Sequence, residues 1–431
     1  MPACRTTTTR GGPPTEPRLR HLRSNDIPVL FDPARHEPLE RIDWDAGAAQ
    51  RTIEQIVGST EECYTLESLW PLHPLDADAY DLYGGAAGVI WALHYLEATG
   101  AAKLRRSYRD DIDALRSRHR RQVKSGNAAS YLAGGAGPLL LDLWLSPSAA
   151  KANELEAMIA GNLDHPAREL MLGAPGTMLA ALFMHERTSE TRWADRYVES
   201  ARKLWSQLEW SPEFECSYWT QQLGRHRCSY LGGVHGFAAT AAVIIKGRHL
   251  LDAGEWDAWR RCIVDTTRAT TLREGDRLTW LESVYPANGI PSPPKHLMQV
   301  CHGAPGVVIC LAGLPTDELD AELVAAGEAI WAAGPLRKGA GLCHGTGGNG
   351  YAFLKLYERT SDPHWLALAR AFAMHGIGQL ESHARQYGQR RYSLWAGDPG
   401  FAIYLSDCVR GAGSFPTLEV FFPAARPGPA P

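Results

Sequence analysis

Several features that place proteins in membranes or on nucleic acids are missing from this sequence. It contains no run of 18 apolar residues, so we expect no membrane-spanning helix. Its first residues include no apolar stretch of the kind that secretory signals carry. Lysine and arginine total 44 against 48 for aspartate and glutamate, a balance that is not typical of nucleic-acid binders. We therefore expect a soluble cytoplasmic protein with no nucleic-acid partner and no membrane span.

Cysteine is scarce, and its count is odd: nine in 431 residues. In a chain without a secretion signal, this argues against a disulfide framework and favours metal binding or catalysis as the role of any clustered cysteines. Seven of the nine share no pattern. The other two, Cys301 and Cys343, are each followed by histidine and glycine.

The two ends of the chain differ in composition from the rest. Residues 1–25 are rich in threonine, arginine, proline and glycine, and the last residues are AARPGPAP. Such segments bury too little apolar surface to become ordered, so we expect disordered tails at 1–25 and 421–431. Nothing in the composition marks a linker within 26–420, which we interpret as a single domain.

A Gly-x-x-Gly pattern next to an apolar run occurs seven times, at intervals of about 40 to 70 residues. Repeats of this length form solenoids, propellers or closed arrays. The glycine pairs are Gly85/Gly88, Gly134/Gly137, Gly173/Gly176, Gly233/Gly236, Gly303/Gly306, Gly345/Gly348 and Gly397/Gly400.

The apolar runs and the segments between them predict two kinds of helix. Runs such as GVIWALHYL are apolar on nearly every face, which predicts buried helices. Intervening segments such as RYVESARKLWSQL are amphipathic with a charged face. Seven pairs of one buried and one outer helix close most simply into two concentric rings. We therefore predict an all-α fold, an α,α-toroid with two layers of about seven helices each.

The tripeptide Cys-His-Gly occurs twice, at residues 301–303 and 343–345, each time where a predicted buried helix begins. Neighbouring repeats of a closed ring bring these two turns together at one rim. Two cysteines and a histidine then converge, which suits Zn²⁺ with three protein ligands and an open fourth position, as in catalytic zinc sites. On this reasoning either His302 or His344 completes the site.

Zinc with an open position would hold an incoming thiol as a nucleophilic thiolate, whereas free cysteine with a pKa of about 8.5 is mostly protonated at neutral pH. If the thiolate adds to an activated alkene, a proton must also be delivered to carbon. His235 lies on the turn of the fourth repeat, at the same rim, and is the candidate acid. Glu169, four residues before Gly173, is a candidate to orient His235 or to bind a substrate amine.

The repeat glycines, together with QVCHGAPG, GLCHGTGGNGYAFL and SLWAGDPG, resemble the lanthionine synthetase C-like (LanC-like) family over most of the chain. The resemblance implies an α,α-toroid and a zinc-dependent enzyme that forms C–S bonds. Such an enzyme adds a thiol, from glutathione or a peptide cysteine, to dehydroalanine or dehydrobutyrine in a peptide or protein. It also implies that Cys301, Cys343 and His344 are the zinc ligands, that His302 is only their neighbour, and that His235 is the acid/base residue.

Two branches of that family differ in their thiol donor. Bacterial lanthipeptide cyclases carry an aspartate where this chain has Glu169, and an arginine that this chain lacks at the matching position. The eukaryotic-type branch, which binds glutathione, is more similar, and its glutathione-contacting lysine corresponds to Lys338. Its Arg-x-Pro-Asp segment is replaced here by RQYGQRRYSLWAG, in which Arg385, Arg390 and Arg391 are the candidate substitutes.

Three alternatives remain open: a stand-alone lanthipeptide cyclase, a non-catalytic scaffold that binds glutathione and zinc, and a glycosidase, since helical toroids also host glycosidases. A glycosidase needs two facing carboxylates, and Glu169 with Asp398 is the pair that the rim offers. That interpretation leaves both Cys-His-Gly turns without a role. The presence of His235 beside all three ligands argues against the scaffold.

Overall fold

The computed structural model describes residues 30–77, 79–123, 125–290 and 295–423. The predicted tail at 1–25 lies outside these ranges, as do residues 424–431 of the predicted C-terminal tail. Within them the fold is almost entirely helical. Among the helices of these ranges, none combines the length and apolarity that a membrane crossing requires.

The described residues form fourteen α-helices and three short β-hairpins. The helices are α1 (Ala46–Glu62), α2 (Ala86–Ala98), α3 (Ile112–Gln122), α4 (Ala136–Leu145), α5 (Ala149–Gly161), α6 (Ala174–Thr188), α7 (Thr191–Ser206), α8 (Phe237–Lys246), α9 (Ala253–Ala269), α10 (Ala304–Leu311), α11 (Asp320–Ala333), α12 (Thr346–Thr360), α13 (Pro363–Tyr387) and α14 (Asp398–Arg410).

The even-numbered helices form a closed inner ring. Helix α2 packs against α4, α4 against α6, and the same contact continues through α8, α10, α12 and α14, which packs against α2 again. Nine of the ten residues of α4 are buried. A helix that is apolar on every face is stable where neighbours cover every face, which explains why the seven apolar runs lie inside the ring.

The odd-numbered helices cover the outside of this ring, so the molecule has the two predicted layers. Helix α7 packs against α6, α11 against α10 and α12, and α13 against α12 and α14. In α7 the buried residues include Trp193, Tyr197, Ala201 and Leu204, which are spaced three or four apart and form one stripe. The remaining faces of α7 carry its charged side chains, as expected of a surface helix.

A chain of backbone hydrogen bonds links the turns that precede the inner helices. In each case the residue two positions before the first repeat glycine donates its N–H to the carbonyl of the equivalent residue in the adjacent repeat. The bonds are Leu132 to Met171 (3.2 Å), Tyr83 to Leu132 (3.0 Å), Trp395 to Tyr83 (3.1 Å) and Cys343 to Trp395 (2.7 Å). These bonds hold five of the seven turns in one register along the rim. We call this chain of hydrogen bonds the rim belt.

The fourth repeat begins its helix three residues later than we predicted. Helix α8 is capped by Gly236, the second glycine of the predicted pair, whereas α6, α10, α12 and α14 are capped by the first glycine of theirs. Gly233 instead packs against the fifth repeat, where a Cβ would lie 2.7 Å from the Cα of Gly306. In this corrected register His235 occupies the same position as His302 and His344, directly before the capping glycine.

The chain returns to the inside of the ring after α14. Phe415 packs against Tyr351 of α12, with ring centroids 5.0 Å apart, and Phe421 packs 5.8 Å from both Trp91 of α2 and Phe183 of α6. Phe421 is fully buried. The segment therefore contacts helices on different sides of the ring, and the core extends to Phe421, which the sequence analysis assigned to the tail.

The three hairpins were not predicted. They are antiparallel pairs of three- or four-residue strands: β1 (Glu209–Ser211) with β2 (Cys216–Tyr218), β3 (Gln221–Leu223) with β4 (His226–Cys228), and β5 (Thr271–Glu274) with β6 (Arg277–Trp280). Two of them lie between α7 and α8, and the third between α9 and α10. They therefore lie in the connections that lead to the fourth and fifth inner helices.

Candidate metal centre and acid–base pair

Two cysteines and a histidine converge where the turns before α10 and α12 meet. The Sγ atoms of Cys301 and Cys343 and a ring nitrogen of His344 all lie within 4.8 Å of one another. The Sγ of Cys343 is 3.5 Å from Nε2 of His344. Both cysteines are buried, and the histidine is partly exposed. Among the described residues the cluster has these three members.

The chemistry of this cluster fits a soft divalent cation such as Zn²⁺. The hydrogen bond from Cys343, reinforced by one from His344, holds the pKa of Cys301 well below its usual range, while burial raises the pKa of Cys343. Of the two sulfur atoms, that of Cys301 is therefore the more readily deprotonated. Two thiolates with one neutral imidazole form a typical three-residue zinc set, and a metal ion bound here would favour that state.

Each sulfur also accepts a hydrogen bond from a side chain outside the cluster. Nε2 of Gln299 donates to the Sγ of Cys301 at 2.9 Å. The hydroxyl of Tyr83, on the turn before α2, donates to the Sγ of Cys343. Such outer donors orient metal ligands, and they fit sulfur atoms that carry negative charge.

His302 does not join the cluster, although it follows Cys301 directly. Its ring packs edge-on against Tyr230, with centroids 4.8 Å apart, and lies nearly parallel to the ring of His235 at 6.4 Å. Its buried Nδ1 has no hydrogen-bond partner among the described residues. The structure therefore brings His344, and not His302, next to the two sulfur atoms.

His235 and Glu169 form an ion pair beside the cluster. Nδ1 of His235 is 2.9 Å from Oε2 of Glu169. The carboxylate is fully buried and also accepts the backbone N–H groups of Met171 (2.9 Å) and Leu172 (2.7 Å), so its position is fixed from two sides. Because Nδ1 of His235 is engaged, its Nε2 is left for a substrate.

The protonated form of His235 is favoured in this pair. Burial lowers the pKa of His235, but the hydrogen bond and the charge of Glu169, together with the negative charge of Cys301, outweigh it and raise the pKa above its ordinary value. The side chain is 25% exposed, so a proton on Nε2 can reach a bound molecule. The arrangement is that of a general acid with its orienting carboxylate.

A small cavity opens beside the turn that carries Cys343. It is lined by Lys338 and Gly341, both close to Cys343 in sequence, and by Arg390, Arg391 and Asp398. Lys338 is exposed. The cavity combines positive charge with proximity to the metal cluster.

The predicted anion-binding arginines are not equivalent in the structure. Both oxygens of Asp76 accept hydrogen bonds from Nε of Arg391, at 2.9 and 3.1 Å, and Arg390 lies 3.4 Å from a carboxylate oxygen of Asp398. Burial raises the pKa of Asp398 to about 6, against the opposing charge of Arg390. Arg385 is exposed on the last turn of α13 and does not line the cavity.

Tyr83 contributes to this site without having been predicted, although the repeats contain a signal for it. Tyr83, Cys301, Cys343 and Trp395 all occupy the position two residues before the first repeat glycine. Tyr83 stacks on Trp395, with ring centroids 5.6 Å apart. Alignment of the seven repeats would have placed Tyr83 on the same rim as the two cysteines.

Comparison with known proteins gives a family match over most of the chain. Residues 76–420 match the family model described as "Lanthionine synthetase C-like protein". The Danio rerio protein named "Glutathione S-transferase LANCL1" is 36% identical over 129 residues, covering 29% of this chain and 32% of that protein. The Arabidopsis thaliana "LanC-like protein GCL1" is 34% identical over 138 residues, covering 30% and 32%. These alignments span about a third of each relative's length.

Among solved structures, nisin cyclase is similar over 84% of this chain and 94% of its own, with a TM-score of 0.60 and 16% identity. At this identity the likeness concerns the fold alone. It confirms the predicted α,α-toroid.

Proposed function

Since this chain belongs to the lanthionine synthetase C-like family, we propose that it catalyses the zinc-dependent addition of a thiol to dehydroalanine or dehydrobutyrine in a peptide or protein, forming a thioether. The observation that carries the proposal is the convergence of Cys301, Cys343 and His344 beside the His235–Glu169 pair. The residues that would activate the nucleophile and donate the proton, the two functions that the addition requires, are therefore close together at one rim.

Cys301, Cys343 and His344 would hold the zinc ion and leave one position for the donor thiol. When bound, zinc lowers the pKa of that thiol so that it is a thiolate at neutral pH. The hydrogen bonds from Gln299 and Tyr83 would keep the two cysteine sulfur atoms oriented and stabilise their negative charge.

His235 would complete the addition. As the thiol sulfur bonds to the β-carbon of the alkene, the electron pair of the double bond moves towards the α-carbon and the adjacent carbonyl. The proton on Nε2 of His235 then goes to the α-carbon, and a proton from solvent restores the imidazolium. Glu169 holds Nδ1 throughout and stabilises the protonated ring.

Glutathione is the thiol donor that the cavity supports best. It carries two carboxylates, and the cavity beside Cys343 is lined by Lys338, Arg390 and Arg391. Both arginines already face carboxylates of the protein. We therefore assign Lys338 as the main contact to a glutathione carboxylate. Arg390 and Arg391 would make weaker contacts, because each also binds a protein carboxylate. A peptide cysteine would not need this positive charge.

The glycosidase alternative loses its pair of carboxylates in this geometry. Glu169 is buried against His235 and two backbone N–H groups, and Asp398 lies against Arg390. Neither carboxylate is available in the way that glycoside hydrolysis requires.

The proposal is tested on the purified chain with metal analysis and mass spectrometry. We expect about one zinc ion per chain, and a glutathione adduct on a dehydroalanine peptide that is lost after chelation and restored by zinc. Cys343→Ala should lose both the zinc and the adduct, whereas His302→Ala should keep its zinc. A full zinc load in Cys343→Ala would refute the ligand assignment, and zinc-loaded wild-type protein that forms no thioether would refute the reaction.

A further inference from the structure

The hairpin β3–β4 touches both turns that carry the His235–Glu169 pair. We propose that this hairpin positions the pair for proton transfer, with Gln221 as its main positioning residue. The inference rests on the proposed function, because it assigns a role within that reaction. The side-chain amide of Gln221 is fully buried.

The amide of Gln221 spans the turn that leads to α8. Its Nε2 donates to the backbone carbonyl of His235 at 2.6 Å, and its Oε1 accepts the backbone N–H of Tyr230 at 2.8 Å. The two bonds hold the start of the turn and the residue directly before the capping glycine. The orientation in which the His235 side chain leaves the backbone is therefore set by a residue of the hairpin.

The same hairpin is bonded to the loop that carries Glu169. The backbone N–H of Gln222 donates to the carbonyl of Pro166 at 2.9 Å, and the guanidinium of Arg168 donates to the carbonyl of Thr220 at 2.7 Å. Pro166 and Arg168 lie within three residues of Glu169. Both partners of the pair are thus anchored to one small rigid element, although they are 66 residues apart in the chain.

This anchoring takes the place of the rim belt, which does not extend to the fourth repeat. The belt joins the turns of Met171, Leu132, Tyr83, Trp395 and Cys343. Among the described residues no bond of the belt type continues from the turn of Met171 to that of His235. The hairpin is the structure that bridges the third and fourth turns at this point.

Misplacement of a catalytic group by about 1 Å can lower a rate by about 100-fold. Loss of the Gln221 amide should therefore slow proton transfer while leaving the metal ligands in place, since these lie on the turns before α10 and α12. The turnover number falls, and zinc content and thiol binding are retained.

The test compares Gln221→Met with Gln222→Met in the zinc-loaded full chain. The side chain of Gln222 reaches only the carbonyl of Gly224 in its own hairpin, at 2.7 Å, so it is a matched control. For each variant we would measure zinc content, kcat and KM for addition of glutathione to a dehydroalanine peptide, and deuterium exchange of residues 229–236 by mass spectrometry. Arg168→Met, which loosens the hairpin from the loop of Glu169, is the second variant if Gln221→Met does not fold.

We expect Gln221→Met to keep its zinc and its KM for glutathione, to lose about 10- to 100-fold in kcat, and to exchange faster in 229–236, with Gln222→Met unchanged. An unaltered kcat despite faster exchange would overturn the proposal. So would a joint fall of zinc content and kcat, which indicates a merely structural role. If wild-type protein adds no thiol, the proposed function fails by itself, and unaltered exchange in Gln221→Met would then also overturn the anchoring by the hairpin.

Discussion

One position in the repeat carries three histidines with three different surroundings. His235, His302 and His344 each lie directly before the glycine that caps an inner helix. His344 faces the cysteine sulfur atoms, His235 faces Glu169, and His302 lies between Tyr230 and His235. The roles of these imidazoles therefore follow from what each turn meets across the rim, and not from the local sequence, which is His-Gly in all three.

His235→Asn tests the proton donor. Asparagine is similar in size and carries an amide N–H that can donate to Glu169, but it does not deliver a proton. We expect the variant to retain zinc and to lose about 10²- to 10⁴-fold of its addition rate. The rate is measured on a dehydroalanine peptide with saturating glutathione, and zinc content is measured in the same preparation. An unchanged rate would leave His235 with a structural role only.

Lys338→Ala tests the thiol donor. Removal of this charge should raise the apparent KM for glutathione by about 5- to 150-fold, corresponding to a contact of about 1 to 3 kcal/mol. Addition of mercaptoethanol, which is uncharged, should be barely affected. Arg385→Ala removes a positive charge outside the cavity and is the control. Equal effects on both thiols would favour a peptide cysteine as donor and hence intramolecular cyclisation.

At the scale of elements, the starts of the inner helices depend on close backbone packing. A Cβ on Gly88 would overlap the carbonyl oxygen of Leu82 and lie 2.9 Å from the Cβ of Leu394 in the adjacent repeat. The same overlap with the carbonyl six residues earlier recurs at Gly176, Gly306 and Gly400. The repeat glycine is therefore required by lack of space at the junction between helix and turn.

Gly88→Ala tests this requirement. We expect a loss of about 1 to 3 kcal/mol in the free energy of unfolding, the usual cost of forcing extra atoms into a packed site. Gly84→Ala, where a Cβ would have open space within 4 Å, should be close to neutral. Urea unfolding followed by circular dichroism measures both variants. Equal stability of the two would show that the second glycine is not needed for packing.

The hairpins are the elements that distinguish one side of the ring from the other. Five turns are connected directly by the rim belt, whereas the turns of His235 and Cys301 are preceded by connections that contain hairpins. The groups that we propose for catalysis are divided between the two sides: His235 and Cys301 lie on this second side, whereas Cys343, His344 and Glu169 lie on turns of the rim belt. Longer connections between rigid helices commonly carry functional residues. Here these connections also contain the hairpins, of which β3–β4 is proposed to position the His235–Glu169 pair.

At the scale of the whole molecule, one histidine whose side chain is only 11% exposed couples stability to pH. His94 of α2 packs between Tyr108 and Trp144, with ring centroids 6.1 and 6.2 Å away. Burial, aided by the charge of Arg109, lowers the pKa of His94 to about 4. The unfolded chain, with an ordinary histidine pKa of about 6.5, binds the proton first. Stability from this group is therefore full above pH 6.5 and is lost as the pH falls towards 4.

His94→Phe should remove this dependence. Between pH 7 and pH 5 the wild-type protein should lose about 2 kcal/mol more unfolding free energy than the variant, since one proton contributes about 1.4 kcal/mol per pH unit below 6.5. His249→Gln, at an exposed position, is the control and should follow the wild type. Urea unfolding at the two pH values gives the comparison. Identical losses in His94→Phe and wild type would exclude His94 as the source.

By itself the sequence determined those features of the fold and the site that follow from periodic or local patterns. Runs that are apolar on every face predict buried helices, and seven such runs paired with amphipathic segments close most simply into two rings, so the α,α-toroid was predictable from the sequence. The duplicated Cys-His-Gly likewise identified two turns that must meet if the ring closes. These conclusions rest on short-range patterns, which a single chain displays directly.

Tertiary structure alone decided which groups face each other across the rim. The contact of His235 with Glu169, the donation from Tyr83 to Cys343 and the hold of Gln221 on the turn before α8 each join distant parts of the chain. The hairpins also escaped prediction because strands of three or four residues are too short to display an alternating pattern. The later start of the fourth inner helix, α8, also depends on tertiary packing. Gly233 and Gly236 both fit the motif, and only the packing of Gly233 against Gly306 determines which glycine caps the helix.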